Sequence, residues 1–352
     1  MKRLCCLMSF TAALGLLPCL ASAGNDVGNG GNAVVCRNTN GSIRSAELLD
    51  FYEARRMRGI LPQLGSADLP VEVKLSIALS SFEKKSPFLA AYLNERASAF
   101  SNEALFLDGA ALEPIPDSHH LAHPVGCDVE QLAIQRVPTF PEDKRYTVNN
   151  DIWMSLDNDS KAGLILHEVL YGMVLSLPNS TGIRYVNSLL TSLRLENMTS
   201  RQLIETFGTS GLNWIDVQGV PVDPGQSPLN RTFYNDGSIR FAVTTPWFND
   251  HLFSVKVSKQ IIPGSVQHVT FYPNGSVRSL GFYVDSAGRA FDTVALRVGV
   301  QQTTFDDTCV VWTDEWANGR RADLFFHDNG SVHMGCQNGK GLYFNPDGSA
   351  EN

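Results

Sequence analysis

The chain has 352 residues, of which 43% are hydrophobic and 18% are charged, and its formal net charge at pH 7 is −8. This length allows two ordinary domains, each large enough to bury a hydrophobic core. The acidic balance argues against nucleic acid or an anionic membrane surface as a partner, because both are negatively charged.

The first 23 residues are typical of a cleavable secretory signal peptide. Two basic residues precede an uncharged apolar run, Leu4 to Leu20, and Ala21-Ser22-Ala23 supplies small residues at the processing site. The run is short for a membrane span, and Pro18 before Cys19 argues against lipoprotein processing. We therefore expect an exported protein, periplasmic or extracellular, without an integral membrane span after cleavage.

The cysteines that remain after cleavage indicate two disulfide bonds. An even number in an exported chain favours disulfides, and the absence of CxxC spacing argues against a zinc site. Three pairings are open, and position along the chain favours Cys36–Cys127 and Cys309–Cys336.

Residues 24–32 are rich in glycine and asparagine and predict a flexible lead-in. Residues 33–212 then predict an α+β domain. It begins with a short strand at Ala33–Cys36, and Ile43–Tyr52 is either its partner strand or the start of a helix. Two helices separated by Pro87 follow within 71–100, and further strands are predicted at 104–115 and 127–137.

Three helices are predicted next, before the composition changes after Trp214. The N-cap cluster Asp157-Asn158-Asp159-Ser160 precedes a helix that runs from 161 to about 177, the second helix covers about 182–195, and Thr199 caps a short third helix through 207. From residue 213 to 352, helical periodicity disappears and turn residues become frequent. We therefore predict an all-β antiparallel domain there.

One phrase recurs in this C-terminal region, with Asp-Gly or Asn-Gly between aromatic and β-branched residues. This combination indicates tight hairpins, because such turns need positive φ. The phrase resembles the strand–turn–strand units of MORN-type repeats, which implies a twisted antiparallel sheet and no catalytic residues. Its four copies are FYNDGSI at 233, FYPNGSV at 271, FHDNGSV at 326 and FNPDGS at 344.

One segment of the α+β domain carries candidate chemistry. His167 and Glu168 follow an apolar run in the predicted helix, and the segment resembles the active-site helix of the zincin metallopeptidases. The resemblance implies His167 as a zinc ligand and Glu168 as the general base. Tyr171 occupies the position of the second histidine, so a ligand role for it requires loss of the phenol proton.

Other residues bear on this hypothesis. His119, His120 and His123 either supply the missing ligands or belong to an exposed polar loop. Gly163 lies one turn before His167 and indicates close approach of a metal, a substrate or a neighbouring helix. A structural interpretation instead pairs His167 and Glu168 with Arg184 or Asn187 on the next helix.

The sequence thus leaves two functions open. The first is a non-catalytic binding or envelope-associated protein with no cofactor. Its hairpin domain is the interaction surface, and its partner is a protein or an envelope carbohydrate surface. The second is a zinc-dependent hydrolase that uses His167, Glu168 and Tyr171. Three tryptophans of the β region either stack on a ligand or pack within the sheet, namely Trp247, Trp312 and Trp316.

Overall fold

The structure is a computed structural model that describes residues 27–28, 30–117, 122–174, 177–217, 220–225, 233–236, 238–243, 254–257, 260–263, 266–274, 276–283, 294–298, 301–305, 312–314, 319–329, 331–337 and 340–351. The described residues form α1 Leu49–Arg58, α2 Val71–Glu83, α3 Pro87–Glu103, α4 Asn150–Ser155, α5 Asn158–Gly172, α6 Thr181–Thr191 and α7 Ser200–Thr209.

The capping predicted for two helices is confirmed by hydrogen bonds. Within the predicted N-cap cluster, the Asp157 carboxylate accepts a hydrogen bond from the Ser160 amide at 2.7 Å, and α5 begins at Asn158, earlier than the predicted start at 161. Thr199 caps α7 in a reciprocal capping box with Gln202. Helix α5 ends at Gly172, earlier than predicted, because the next two amides bond three residues back rather than four.

Two small sheets accompany the helices. They contain β1 Val27–Gly28, β2 Asn32–Arg37, β3 Ile43–Leu48, β4 Ala104–Leu107, β5 Cys127–Gln131, β6 Ala133–Arg136 and β7 Tyr146–Asn149. One sheet has the order β3-β2-β5 and is antiparallel, and the other has the order β1-β6-β7-β4 with a parallel β4–β7 pair. Cys36 lies opposite Cys127 in the β2–β5 register and the two form a disulfide, which confirms the first predicted bond.

The C-terminal region is built from antiparallel strands. These are β8 Ile215–Val217, β9 Val220–Val222, β10 Phe241–Val243, β11 Ser254–Val257, β12 Gln260–Pro263, β13 Val266–Phe271, β14 Val277–Tyr283, β15 Val294–Val298, β16 Gln301–Phe305, β17 Trp312–Asp314, β18 Gly319–Phe326, β19 Val332–Gln337 and β20 Lys340–Tyr343. The main sheet has the order β10-β13-β14-β18-β19-β20, and β17 pairs with β18. The predicted α+β class with an all-β C-terminal region is confirmed. Cys309 lies outside the described residues, so the second disulfide stays a prediction.

The segment that follows the predicted domain boundary at 212 packs against the N-terminal helices. Trp214 is 1% exposed and meets the Tyr92 ring edge-on, with the ring centroids 5.8 Å apart. The buried Asp216 carboxylate accepts hydrogen bonds from the Leu89 amide at 2.8 Å and from the Ser86 hydroxyl, so it caps α3 from β8. Residues 214–216 therefore contribute to the core and the capping of the helical region.

The predicted flexible lead-in does not extend over residues 30–32, which are buried. A Cβ at Gly30 would lie 2.2 Å from the Ala133 carbonyl oxygen, and one at Gly31 would lie 2.3 Å from Leu164 Cδ1. The Gly31 carbonyl accepts from the Leu132 and Ala133 amides, both at 3.0 Å. These glycines are needed because the backbone runs closely between β6 and α5.

Candidate functional site

Helix α5 lies very close to its neighbours at Gly163. A Cβ at this position would lie 2.5 Å from Phe51 Cζ and 2.8 Å from Leu48 Cδ2. Asn187 of α6 donates from Nδ2 to the Gly163 carbonyl at 2.9 Å. Of the three explanations for this glycine, close packing of neighbouring elements is therefore the observed one.

His167 lies at the centre of a buried polar cluster and is 0% exposed. Its Nδ1 lies 2.9 Å from Asp50 Oδ2, and Asn187 Nδ2 donates to the same oxygen at 2.7 Å. Burial lowers the pKa of His167, but the charge and hydrogen bond of Asp50 and the charge of Glu168 outweigh burial. The pKa of His167 is therefore raised above its ordinary value, which favours an imidazolium paired with Asp50.

Glu168 is also 0% exposed, and its carboxylate faces the backbone at Gly31. Its Oε1 accepts a hydrogen bond from the Gly31 amide at 2.6 Å. Burial raises the pKa of Glu168, and the opposing effects of His167 and the Gly31 amide do not cancel this rise. Burial and then the charge of Glu168 raise the pKa of Tyr146 to about 12.

Several polar atoms in this cluster are buried without a hydrogen-bond partner among the described residues. Buried polar atoms are ordinarily paired, so each such atom needs an explanation. They are Asp50 Oδ1, His167 Nε2, Glu168 Oε2 and Asn187 Oδ1. His167 Nε2 is thus the imidazole nitrogen that retains an unused bonding capacity.

Tyr171 lies beside His167, but its hydroxyl is engaged elsewhere. The two rings are nearly parallel, at 9°, with centroids 6.2 Å apart. The Tyr171 hydroxyl donates to the Leu177 carbonyl at 3.2 Å, just beyond the end of α5. A ligand role for Tyr171 would require loss of this bond and of the phenol proton.

Arg184 of α6 forms a second buried cluster next to the first. The guanidinium is 1% exposed and donates to Glu53 Oε2 at 2.7 Å, to the Ser180 hydroxyl at 2.8 Å and to the Asp117 carboxylate. Burial lowers the pKa of Arg184, but the hydrogen bond to Glu53 and the charges of the nearby carboxylates outweigh burial, so the pKa is raised.

The structural interpretation of the sequence named Arg184 and Asn187 as partners of His167 and Glu168. Asn187 reaches His167 through their shared acceptor Asp50, whereas Arg184 pairs with other carboxylates. Asp50, Glu53 and Asp117 belong to no sequence motif, so their place in these clusters was not predicted. The i, i+3 spacing of Asp50 and Glu53 could have indicated two of them, because it places both side chains on one face of α1.

The donor set does not fit a zinc site as it stands. Among the described residues, no three or more His, Cys, Asp or Glu side chains are grouped so that they could hold a metal ion. His119 and His120 lie outside the described residues, and His123 is exposed. Ligation by His167 and Tyr171 and catalysis by Glu168 therefore stay predictions.

An open cleft of about 390 Å³ lies beside the N-terminal end of α6. Its lining includes Arg58, Asn179, Thr181, Tyr185 and Ser210. The Arg58 guanidinium carbon lies 5.0 Å from the centroid of the Tyr185 ring. The cleft thus combines one cationic group, one aromatic ring and several hydroxyl and amide groups.

The structure does not test the stacking role predicted for three tryptophans. Trp247 and Trp316 lie outside the described residues, and only the backbone of Trp312 is described. Their role stays a prediction.

Comparison of the chain with protein-family models, curated proteins and solved structures found no match. None of the described helices combines the length and the apolar character needed to cross a membrane.

Proposed function

We propose that the protein is an exported, non-catalytic binding protein in which the His167–Glu168 helix has a structural role. The observation that carries this proposal is the complete burial of both side chains together with their bonds to Asp50 and the Gly31 amide. A substrate cannot reach His167 without displacement of packed elements. The buried charges persist because each has a partner of opposite charge or a hydrogen bond.

The cleft beside α6 is the proposed binding site, and the buried clusters support its wall. Leu177 lines the cleft and accepts the hydroxyl bond of Tyr171. Thr181 lines it as well and accepts a hydrogen bond from Arg184 at 3.2 Å. A polar lining with one aromatic ring suits a carbohydrate of the cell envelope, since sugars combine many hydroxyls with apolar faces.

The divalent-metal hydrolase is the second candidate. In a zincin, His167 Nε2 would bind the metal and Glu168 Oε2 would face the metal-bound water, and neither atom has a hydrogen-bond partner within the described residues. The carboxylate on Nδ1 is also the kind of partner that metal-binding histidines have. Both observations favour an ion at this place after opening of the site.

Metal analysis distinguishes the two functions. The mature wild type, His167→Ala and His167→Gln are purified without chelators, and bound zinc is measured with circular dichroism as the folding control. We expect the same zinc content in all three proteins. One equivalent of zinc in the wild type that is lost in both folded variants would establish the hydrolase hypothesis instead.

Binding at the cleft is tested with insoluble peptidoglycan as the probe. Arg58→Gln removes the cation of the cleft, and Arg56→Gln is the matched control, because Arg56 lies over Tyr52 at 5.6 Å on the same helix and does not line the cleft. We expect Arg58→Gln to lower the affinity at least fivefold and Arg56→Gln to leave it unchanged. Equal affinities of all three proteins, or no binding by the wild type, would contradict the proposed ligand.

A further inference from the structure

The recurring turns of the C-terminal sheet share one set of hydrogen bonds. In each, the serine amide and hydroxyl both donate to the Asx side-chain oxygen two residues earlier, and the residue four positions before the serine donates its amide to the serine carbonyl at 2.8 Å. The serines concerned are Ser238, Ser276, Ser331 and Ser349. The same arrangement occurs at Ser42 in the β2–β3 hairpin.

The residue at the second position of the phrase links each turn to the next one. Tyr234 donates its hydroxyl to the Phe271 carbonyl and Tyr272 donates to the Phe326 carbonyl, both at 2.8 Å. His327 occupies the same position in the third copy, and its Nε2 lies 2.7 Å from the Phe344 carbonyl. Since a carbonyl only accepts, this bond places the proton of His327 on Nε2.

A second position of the repeated sequence differs in the third copy as well. Two residues after the serine, the first two copies have arginines, and each guanidinium lies over the tyrosine of its own copy, Arg240 at 5.9 Å and Arg278 at 5.8 Å. In the third copy this residue is His333, and its ring centroid lies 4.5 Å from that of His327. The Tyr–Arg pair of two copies is therefore replaced at both positions by a His–His pair.

The third copy differs from the others in chemistry rather than in fold. A tyrosine would make the same bond to Phe344 and an arginine would stack on it, as in the other copies, so the hairpin itself does not require histidines. Two imidazoles in contact provide two nitrogen ligands, which suit zinc, copper and nickel ions. A backbone carbonyl that holds the second nitrogen of an imidazole is a common feature of metal-binding histidines.

We propose that His327 and His333 form a two-histidine site for a divalent transition-metal ion, with His327 Nδ1 as one ligand and water in the remaining positions. Glu351 Oε1 lies 4.0 Å from His333 Nε2, so its carboxylate adds negative charge next to the ion. The ion would hold the third turn to strand β19. This site is separate from His167 and from the cleft beside α6.

The test uses Zn²⁺ alone as the probe, with isothermal titration calorimetry on the full mature chain. The host protein has His119, His120 and His123 replaced by asparagine, so that these exposed or undescribed imidazoles do not contribute. In this host, His327→Tyr together with His333→Arg rebuilds the Tyr–Arg pair of the first two copies and keeps a hydroxyl donor for Phe344. We expect this change to weaken Zn²⁺ binding at least tenfold.

A second measurement keeps the proposal testable if the double variant folds poorly. In the host protein, Zn²⁺ is added during NMR observation of the histidine side chains, and the His327 and His333 signals are expected to shift together. Unchanged affinity in the folded double variant, or shifts confined to other histidines, would overturn the proposal. A wild type that binds no Zn²⁺ would overturn it as well.

Discussion

Asp50 at the start of α1 and His167 on α5 lie 117 residues apart in sequence and form a buried pair with 0% exposure of either side chain. Loss of one partner of such a pair leaves an uncompensated buried charge, at a cost of about 3–5 kcal/mol. The zincin-like pattern marked His167 and Glu168 correctly as unusual polar residues of a core helix. The pattern could not identify Asp50, because the pairing depends on how α1 packs against α5 and α6.

The raised pKa values of His167 and Glu168 predict how stability depends on pH. Both groups bind a proton more tightly in the folded chain than in the unfolded one. Their contribution is therefore complete below the unfolded pKa values, about 4.5 for Glu and about 6.5 for His, and is lost as pH rises through the folded values. We expect the free energy of unfolding from urea titrations to fall as the pH rises above about 5.

Glu168→Gln isolates this effect, because it keeps an oxygen for the Gly31 amide and removes the titrating carboxylate. It also removes one of the charges that raise the pKa of His167. We expect a shallower fall of stability with pH in this variant than in the wild type. The control is Glu142→Gln at an exposed position. A wild-type slope retained in Glu168→Gln would show that Glu168 does not titrate in this range.

At the scale of the element, the hairpins were predictable because their determinants are local. An Asx residue, a glycine and a serine in succession provide the acceptor, the backbone freedom and the donor of one turn. Gly348, for example, has φ of 85°, a conformation that residues with a side chain rarely adopt. The link from each turn to the next could not be read locally, since it joins residues 17 to 54 positions apart.

Tyr272→Phe tests the energetic value of that link. The variant removes the half-buried hydroxyl that donates to Phe326 and keeps the ring and its contact with Arg278. We expect a loss of about 0.5–1.5 kcal/mol in unfolding free energy, the usual contribution of one hydrogen bond. Tyr343→Phe is the control, because the Tyr343 side chain is exposed. Equal effects of the two substitutions would mean that the link adds no stability.

At the scale of the whole molecule, the predicted boundary at residue 212 falls inside a packed region. Trp214 and Ile215 belong to the same buried hydrophobic cluster as the N-terminal helices, and Asp216 caps α3. The composition change after Trp214 was a correct sign of the all-β region. It marks the end of the helices. Residues 214–216, which follow directly, complete the hydrophobic core of the helices and cap α3.

Two fragments test this interpretation. Residues 24–225 keep Trp214 and Asp216, whereas residues 24–212 lose both. We expect the shorter fragment to be less stable by about 3–5 kcal/mol or more, since loss of one buried tryptophan alone has this cost. Urea unfolding followed by circular dichroism provides the comparison. Equal midpoints for the two fragments would support the predicted boundary at 212.

The sequence by itself determined the features that depend on near neighbours, namely the capped helices and the Asx-Gly-Ser turns, and with them the α+β class. The Cys36–Cys127 bond, whose partners lie 91 residues apart, was the favoured one of three open pairings, and the β2–β5 register decided it. Capping and turn formation involve bonds within a few residues, so a short segment specifies them. Only the tertiary structure decided the environment of His167 and Glu168. Their burial and pKa values depend on Asp50, Gly31 and Asn187, which packing brings together from distant parts of the chain.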